Sequence, residues 1–259
     1  MEANEIKKAQ HFLVSKKIAR KIVEFAGIDT GSRVLEIGAG KGFITEEVAK
    51  IGCKLLAVEI DSKFESDLQN IKRKFDNFNY IIEDIKNIDF NGFDAVIGNI
   101  PFFLSEEILR KCISTKIDKV SIIVGGNFIK KIEGESLIGF MMNKFYSVKD
   151  KEKLDKKDFE PQPNETSYLI ALEKKELSDL DKMLVAICLS NGKIKNALIH
   201  VFMKEGKTKN QAKELIKAIA LDEDALNKPC RKITFNLIKG IEKELNQYLL
   251  GPSKALDFH

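Results

Sequence analysis

The sequence predicts an α/β fold: a mostly parallel sheet ending in a terminal antiparallel strand, followed by a small all-helical domain. Three observations predict it. Up to about residue 124, short apolar runs rich in β-branched residues alternate with helical periodicity, which is the rhythm of βαβ units and a parallel sheet. That rhythm then breaks, and Pro161 and Pro163 precede one last strand-like run at 166–173; an antiparallel edge on a parallel sheet is a common arrangement. From Leu177 onward no strand signal remains and the spacing is helical.

The elements follow in order. Residues 14–27 set Ile18, Ile22, Val23, Phe25 and Ala26 at near-helical spacing, with Ser15 as N-cap and Gly27 as the stop. Residues 33–37 are short, apolar and ended by glycines, so they read as a buried strand. A helix over 42–51, a strand over 54–59 and a helix over 61–75 come next. Strands at 79–82 and 93–98, a helix at 105–114 and a strand at 119–124 complete the alternation. Residues 135–147 read as helical at first, then extended. Helices are expected at 178–190, 194–204, 208–220 and 234–249. The charged stretch around 175 divides the chain into residues 1–175 and 176–259. A length of 259 suits one large domain and one small one.

Hydrophobic residues make up 44% and charged residues 32%, a composition able to build a real core. No apolar run approaches the ~20 residues that span a bilayer, and the polar start lacks a signal-peptide core. The expectation is a cytoplasmic protein without membrane contact, monomeric by default. Cys53, Cys112, Cys188 and Cys230 are far apart and, with His11, His200 and His259, form no zinc-site spacing. They read as reduced thiols, and no metal is expected. Net charge is +4, yet residues 180–240 carry twelve Lys/Arg against six Asp/Glu. That asymmetry points to an anionic partner for the C-terminal part.

Glu36-Ile37-Gly38-Ala39-Gly40-Lys41-Gly42 stands at a strand-to-helix turn. Glycines let the backbone turn tightly and approach a ligand. The spacing is G-x-G-x-G, not the G-x-G-x-x-G of dinucleotide sites. Glu36 would repel a pyrophosphate. It can instead hold, through water, the methionine end of S-adenosylmethionine, which carries an ammonium and a sulfonium and no phosphate. Glu59 ends the second strand, where ligands sit in open α/β sheets, and can accept both ribose hydroxyls. Asp84, after the third strand, can accept from the cofactor's adenine amine. Three acids at three successive strand ends support one another.

Asn99-Ile100-Pro101-Phe102 follows the fourth strand. Adenine N6 is a poor nucleophile because its lone pair is delocalised into the ring. Acceptance of both N6 hydrogens, by the Asn99 side-chain oxygen and a backbone carbonyl such as that of Ile100, favours a pyramidal nitrogen. Pro101 rigidifies that carbonyl, and Phe102 offers a face on which an extruded base can stack. The gain comes from preorganised polar groups and alignment.

These residues resemble those of the ribosomal RNA adenine N6-dimethyltransferases, relatives of the erythromycin-resistance rRNA methylases, over nearly the whole chain. Gln10-His11-Phe12-Leu13 resembles the family's Q-[NH]-F-L, which implies that Gln10, His11 and Leu13 lie beside the cofactor's methionine moiety. The glycine turn (Glu36, Gly38, Gly40), Glu59 and Asp84 match its cofactor positions, to which Asn99 is added. Asn99 to Phe102 match N-[LI]-P-[YF], a specific signal. The stretch Phe159 to Pro163 resembles F-x-P-x-P, which implies that Phe159 helps hold the target base. Residues 192–198 and 226–233 resemble the family's basic C-terminal stretches. The resemblance implies a Rossmann-like S-adenosylmethionine-dependent methyltransferase fold. It also implies N6-methylation, up to dimethylation, of adenines in small-subunit rRNA within a pre-ribosomal particle.

The chain departs from the family at three places. After the fifth strand, where relatives carry a Q-x-E-x-[AV]-x-R type stretch, residues 124–131 read Val-Gly-Gly-Asn-Phe-Ile-Lys-Lys, without the glutamine and glutamate. A following Y-G-R-L-S stretch is reduced to Gly134-Glu135-Ser136-Leu137, and Gly192 stands where arginine is frequent. These changes touch contacts to RNA outside the pocket. Two other function classes remain open to the residues alone: a non-catalytic RNA-binding assembly factor on the same fold, and a methyltransferase acting on DNA or a small molecule.

Overall fold

The computed structural model describes residues 11–250. Its strands are β1 (Phe12–Leu13), β2 (Arg33–Ile37), β3 (Lys54–Glu59), β4 (Phe78–Ile82), β5 (Ala95–Asn99), β6 (Lys119–Gly125), β7 (Tyr146–Lys153), β8 (Phe159–Glu160) and β9 (Ser167–Lys174). Seven of them form one sheet in the order β4-β3-β2-β5-β6-β9-β7. β4, β3, β2, β5 and β6 are parallel; β9 runs antiparallel to both β6 and β7. The chain leaves the centre at β2, steps outward to β4, and returns on the other side at β5. The crevice beyond β2 and β5 is therefore the topological switch point, where open α/β sheets hold ligands.

The parallel strands are near-continuous apolar runs because both faces are covered. In β2 every residue after Arg33 is buried. Gly98 fixes how closely β5 approaches β2. Its φ is 153°, and a Cβ there would stand 2.3 Å from the Ile37 carbonyl oxygen. The helix Lys16–Ala26 buries Ile18, Ala19, Ile22, Val23 and Ala26, as its spacing predicts. The Ser15 hydroxyl accepts from Ile18 N, and Gly27 ends it at φ 54°.

Several elements differ from the expectation. The helix expected over 61–75 begins as a 3-10 turn at Ser62–Phe64 and becomes α-helical at Glu65–Lys72. A helix at Gly126–Glu133 has no counterpart in the sequence-based expectation. β7 reaches Lys153, well past the extended stretch expected to end at 147. Its sequence, Tyr-Ser-Val-Lys-Asp-Lys-Glu-Lys, lacks apolar alternation because it is the sheet's edge, where charges and a bulge between Val148 and Asp150 discourage further pairing.

The chain divides into two compact units. One holds the sheet, up to Lys130 and again over Tyr146–Lys174; the other holds Lys131–Phe145 and everything from Lys175 on. Residues 131–145 thus group with the helices, whereas a single boundary at 175 places them with the sheet. The helix Leu137–Phe145 packs on Asp179–Leu189. Lys144 pairs with Asp181 at 2.9 Å and Glu242 at 2.7 Å, and Phe140 meets the Phe235 ring edge-on. Helical spacing reveals a buried face but not what covers it. The other helices of this unit are Ile194–Lys204, Lys209–Ala218, a short unexpected Glu223–Asn227, and Phe235–Leu250. Thr208 and Gln211 form a full capping box on the second of these. Among the described residues no helix is long and apolar enough to cross a membrane.

Candidate active site

A cavity of about 540 Å³ opens at the carboxyl ends of β2, β3, β4 and β5. Its floor is the glycine turn after β2. Gly38 (φ 75°) donates its N–H to Val58 O at 2.8 Å, and Gly40 (φ 53°) donates to Glu59 Oε2 at 2.8 Å. Left-handed backbone at two positions needs glycine and brings bare main chain to the cavity wall. Glu59 is 3% exposed, and its other oxygen, Oε1, accepts from Asp61 N at 2.9 Å. Each carboxylate oxygen is held by one backbone N–H and keeps further acceptor capacity. The acid is thus fixed in orientation before any ligand arrives.

Asp84 lines the same cavity. Its Oδ1 accepts from Lys86 N at 3.0 Å and caps the 3-10 turn Ile85–Asn87. The neighbouring Glu83 accepts from Asn87 Nδ2 and Asp84 N, bonds that hold its carboxyl below the ordinary range. Ile60 and Ile85 supply apolar wall between the two acids.

Glu36 lies elsewhere than at the wall. It is fully buried, and neither carboxylate oxygen has a hydrogen-bond partner. Burial pushes its pKa up to about 8. Thr45 beside it pulls the other way without reaching hydrogen-bond geometry, and the charge of Glu59 adds to the rise. An orphaned carboxyl two residues before the glycine turn is costly in the protein alone. It suits a positively charged ligand reached through water. The donor set as a whole fits S-adenosylmethionine: a bare backbone floor, an oriented acid for a diol, an acid for an amine, and behind the turn a buried carboxyl that a nearby cation would help to ionise.

The turn Asn99–Phe102 lines the same cavity. Asn99 Nδ2 donates to His11 O at 2.6 Å. A carbonyl only accepts, so this bond sets which way the amide faces and leaves Oδ1 as the acceptor for the cavity. His11 Nδ1 lies 2.8 Å from Pro161 O, and the same logic puts the ring proton on Nδ1. The His11 ring is 6.3 Å from that of Phe102, tilted by 35°. Ile100 is anchored by a buried side chain, and Pro101 O accepts from Leu104 N at 2.9 Å at the start of the turn Phe102–Leu104.

The expected residues divide as follows. His11, Leu13, Gly38, Gly40, Glu59, Asp84 and Asn99 to Phe102 all line the cavity. Glu36 is behind it. Gln10 lies outside the described residues. Phe159 does not line the cavity: it is 2% exposed and packed in the core of the sheet unit. Strand alternation is the reason. Phe159 pairs with Leu13 in the β1–β8 ladder, and the next residue, Glu160, faces the other way and lines the cavity with Pro161. Sequence reasoning also passes over Phe12, although it lies inside the Gln10–Leu13 motif. Its ring meets Phe64 edge-on, with Lys63 over both rings.

In the helical unit, two basic stretches far apart in sequence come together. Cys230 N donates to Gly192 O at 2.8 Å, Ile194 N to Lys228 O at 3.0 Å, and Lys193 bridges Pro229. Exposed Lys193, Lys228, Arg231 and Lys232 therefore share one surface.

A family model described as ribosomal RNA adenine dimethylase matches residues 1–231. The ribosomal RNA small subunit methyltransferase A of Thermotoga petrophila is 32% identical over 179 residues, covering 66% of this chain and 68% of that protein. A probable ribosomal RNA small subunit methyltransferase A of Methanosphaera stadtmanae is 28% identical over 247 residues, 90% of each. Among solved structures, a dimethyladenosine transferase from Plasmodium falciparum superposes with a TM-score of 0.64 at 21% identity, over 92% of this chain and 98% of that one. The 23S rRNA methyltransferase ErmE superposes with a TM-score of 0.61 at 18% identity, over 91% and 100%. At these identities the superpositions speak for the fold.

Proposed function

The chain belongs to the ribosomal RNA adenine dimethylase family, and from that premise we propose that its cavity binds S-adenosylmethionine and presents adenine N6 of small-subunit rRNA to it, for one and then a second methylation. The observation that carries this reading is the Asn99 amide, locked by His11 O so that its oxygen is left for an amine. Glu59 would take the ribose hydroxyls, Asp84 the cofactor's adenine amine, and Glu36, through water, the cationic methionine end. When bound, the cofactor supplies an electrophilic methyl group on a sulfonium.

The chain's own residues do the rest. Phe102 gives an extruded adenine a face to stack on. In the first transfer Asn99 Oδ1 and the Ile100 carbonyl accept the two N6 hydrogens, which draws the lone pair out of conjugation and aims it; in the second, one of them accepts the hydrogen that remains. No strong base is required, because the proton leaves from a nitrogen that has become cationic. Catalysis here is preorganisation and alignment. The basic surface around Lys193 and Arg231 supports contact with RNA phosphates. On this reading the protein works as a cytoplasmic monomer whose partner is a pre-ribosomal particle.

The test is to incubate the protein with methyl-labelled cofactor and unmethylated small-subunit particles, then map the label. Label on adenine N6 is expected. Label on another atom, or cofactor binding without transfer, would overturn the assignment.

A further inference from the structure

The stretch at the end of β6 that departs from the family lacks its glutamine and glutamate, and Gly125 there has no side chain at all. The structure shows what stands in that space. A Cβ at Gly125 would lie 2.0 Å from Glu165 Oε1 and 2.8 Å from Phe102 Cδ2. The Glu165 carboxylate therefore fills the space a side chain at 125 would need, against the ring that lines the base side of the cavity. Its other oxygen, Oε2, accepts from Asn127 N at 3.3 Å, at the start of the helix Gly126–Glu133. That helix has no acid in its own first turn, so the negative charge its N-terminus favours comes from the segment leading into β9. Gly126 N donates to Thr166 O at 2.7 Å and ties the two segments together.

We propose that Glu165 is a positioning residue for the target base: it fills the space left beside Gly125 and braces Phe102 next to the amine-binding turn. The inference rests on the reading above, in which Phe102 is the stacking face. Glu165 Oε1 and Phe102 Cδ2 lie 2.0 Å and 2.8 Å from the point a Cβ at Gly125 would occupy, so the carboxylate and the ring edge share the space beside bare backbone, where a carboxylate favours the electropositive edge an aromatic ring offers. A ring free to slide would hold the base out of line with the methyl group, and a misplacement of about 1 Å costs up to ~100-fold in rate.

The experiment compares Glu165→Ala, Glu165→Gln, Gly125→Ala and Phe102→Ala. Three quantities are read: kcat and KM on unmethylated small-subunit particles, cofactor Kd by calorimetry, and the fluorescence of 2-aminopurine placed at the target position of a short RNA. Glu165→Ala should lower kcat/KM about 10- to 100-fold and blunt the fluorescence change on binding, with cofactor Kd within about twofold of the parent. Glu165→Gln keeps length and an acceptor for Asn127 N, and should recover most of the loss. Gly125→Ala sets a methyl group against both the carboxylate and the Phe102 ring, and should lose at least as much activity as Glu165→Ala. If Phe102→Ala is impaired while Glu165→Ala is indistinguishable from the parent in rate and fluorescence, the inference is wrong and the base-site reading stands. If Phe102→Ala itself keeps full activity, the base-site reading falls and takes the inference with it. A Glu165→Ala variant that only melts earlier, with unchanged kinetics below its melting temperature, would also overturn it.

Discussion

Asn99 is the residue on which the proposed chemistry turns, and the structure gives its substitutions distinct outcomes. Asn99→Ala removes the Oδ1 acceptor and leaves His11 O without the Nδ2 donor that now lies 2.6 Å away. Loss of one preorganised polar group from such a site costs about 2.7–4 kcal/mol, or roughly 10²- to 10³-fold in kcat. The lost bond to His11 O should cost stability only ~1 kcal/mol, because that carbonyl is not deeply buried. Asn99→Asp is the sharper variant. It keeps shape and an acceptor oxygen, but its second oxygen would face the His11 carbonyl, acceptor against acceptor. The side chain must rotate or hold a proton, and activity should fall about as far as in Asn99→Ala. The assay is single-turnover transfer of labelled methyl to unmethylated particles at saturating cofactor, which isolates chemistry from product release. An alanine variant within about tenfold of the parent would refute the role of Oδ1. An aspartate variant as active as the parent would refute the role of the His11 latch.

Other outcomes follow from the same geometry. Glu59→Ala removes the diol acceptor and unfastens Gly40 N and Asp61 N; at ~1.5 kcal/mol for each of two charged ribose bonds, cofactor Kd should rise about 100-fold by calorimetry, and an unchanged Kd would exclude the assignment. Glu36 has a folded-state pKa of about 8 against an ordinary 4.5, so between those values the folded protein keeps a proton that the unfolded chain has released. Stability should be full below about pH 4.5 and decline as pH rises toward 8; Glu36→Gln should flatten that decline in urea midpoints, and parallel curves for the two proteins would contradict it. Gly98→Ala drives a methyl group into the Ile37 carbonyl and should destabilise by about 3 kcal/mol or more in denaturant titrations. Neutralising Lys193, Lys228, Arg231 and Lys232 should lower the slope of log affinity against log salt by roughly 0.7–0.9 for each phosphate left unpaired; an unchanged slope would place the RNA-binding surface elsewhere.

What is legible in the sequence, and what is not, divides along a physical line. β2 and β3 are legible to the residue, because a strand buried on both faces is a short apolar run; glycine ends β2, and an acid, Glu59, closes β3. Gly38, Glu59, Asp84 and Asn99 are legible for a related reason. Ligands bind where parallel strands end, so the order of strand ends along the chain is the order of side chains around the cavity. What escapes a reading of the sequence is whatever depends on two distant segments meeting. The β1–β8 ladder has two residues per strand, too few to show a period, yet it brings His11 O to Asn99 and turns Phe159 into the core. An aromatic two residues before a proline carries no mark of which face of a ladder it will occupy; only the pairing with Leu13 decides that.

The same division explains the departure at residues 125–131. Along the chain, the absence of the family's glutamine and glutamate at the end of β6 looks like erosion of the site, which is what keeps open the view that the protein only binds RNA. Across space, Glu165 fills the vacated volume and reaches Asn127 N. A site needs a polar group at a place, not at a sequence position, and a segment paired antiparallel to β6 can deliver one there. Gly125 sits opposite Ser167 in that pairing, which sets Glu165 two residues from the register point and within reach of the gap. Compensation of this kind leaves the catalytic reading intact where a tally of missing motif residues would weaken it.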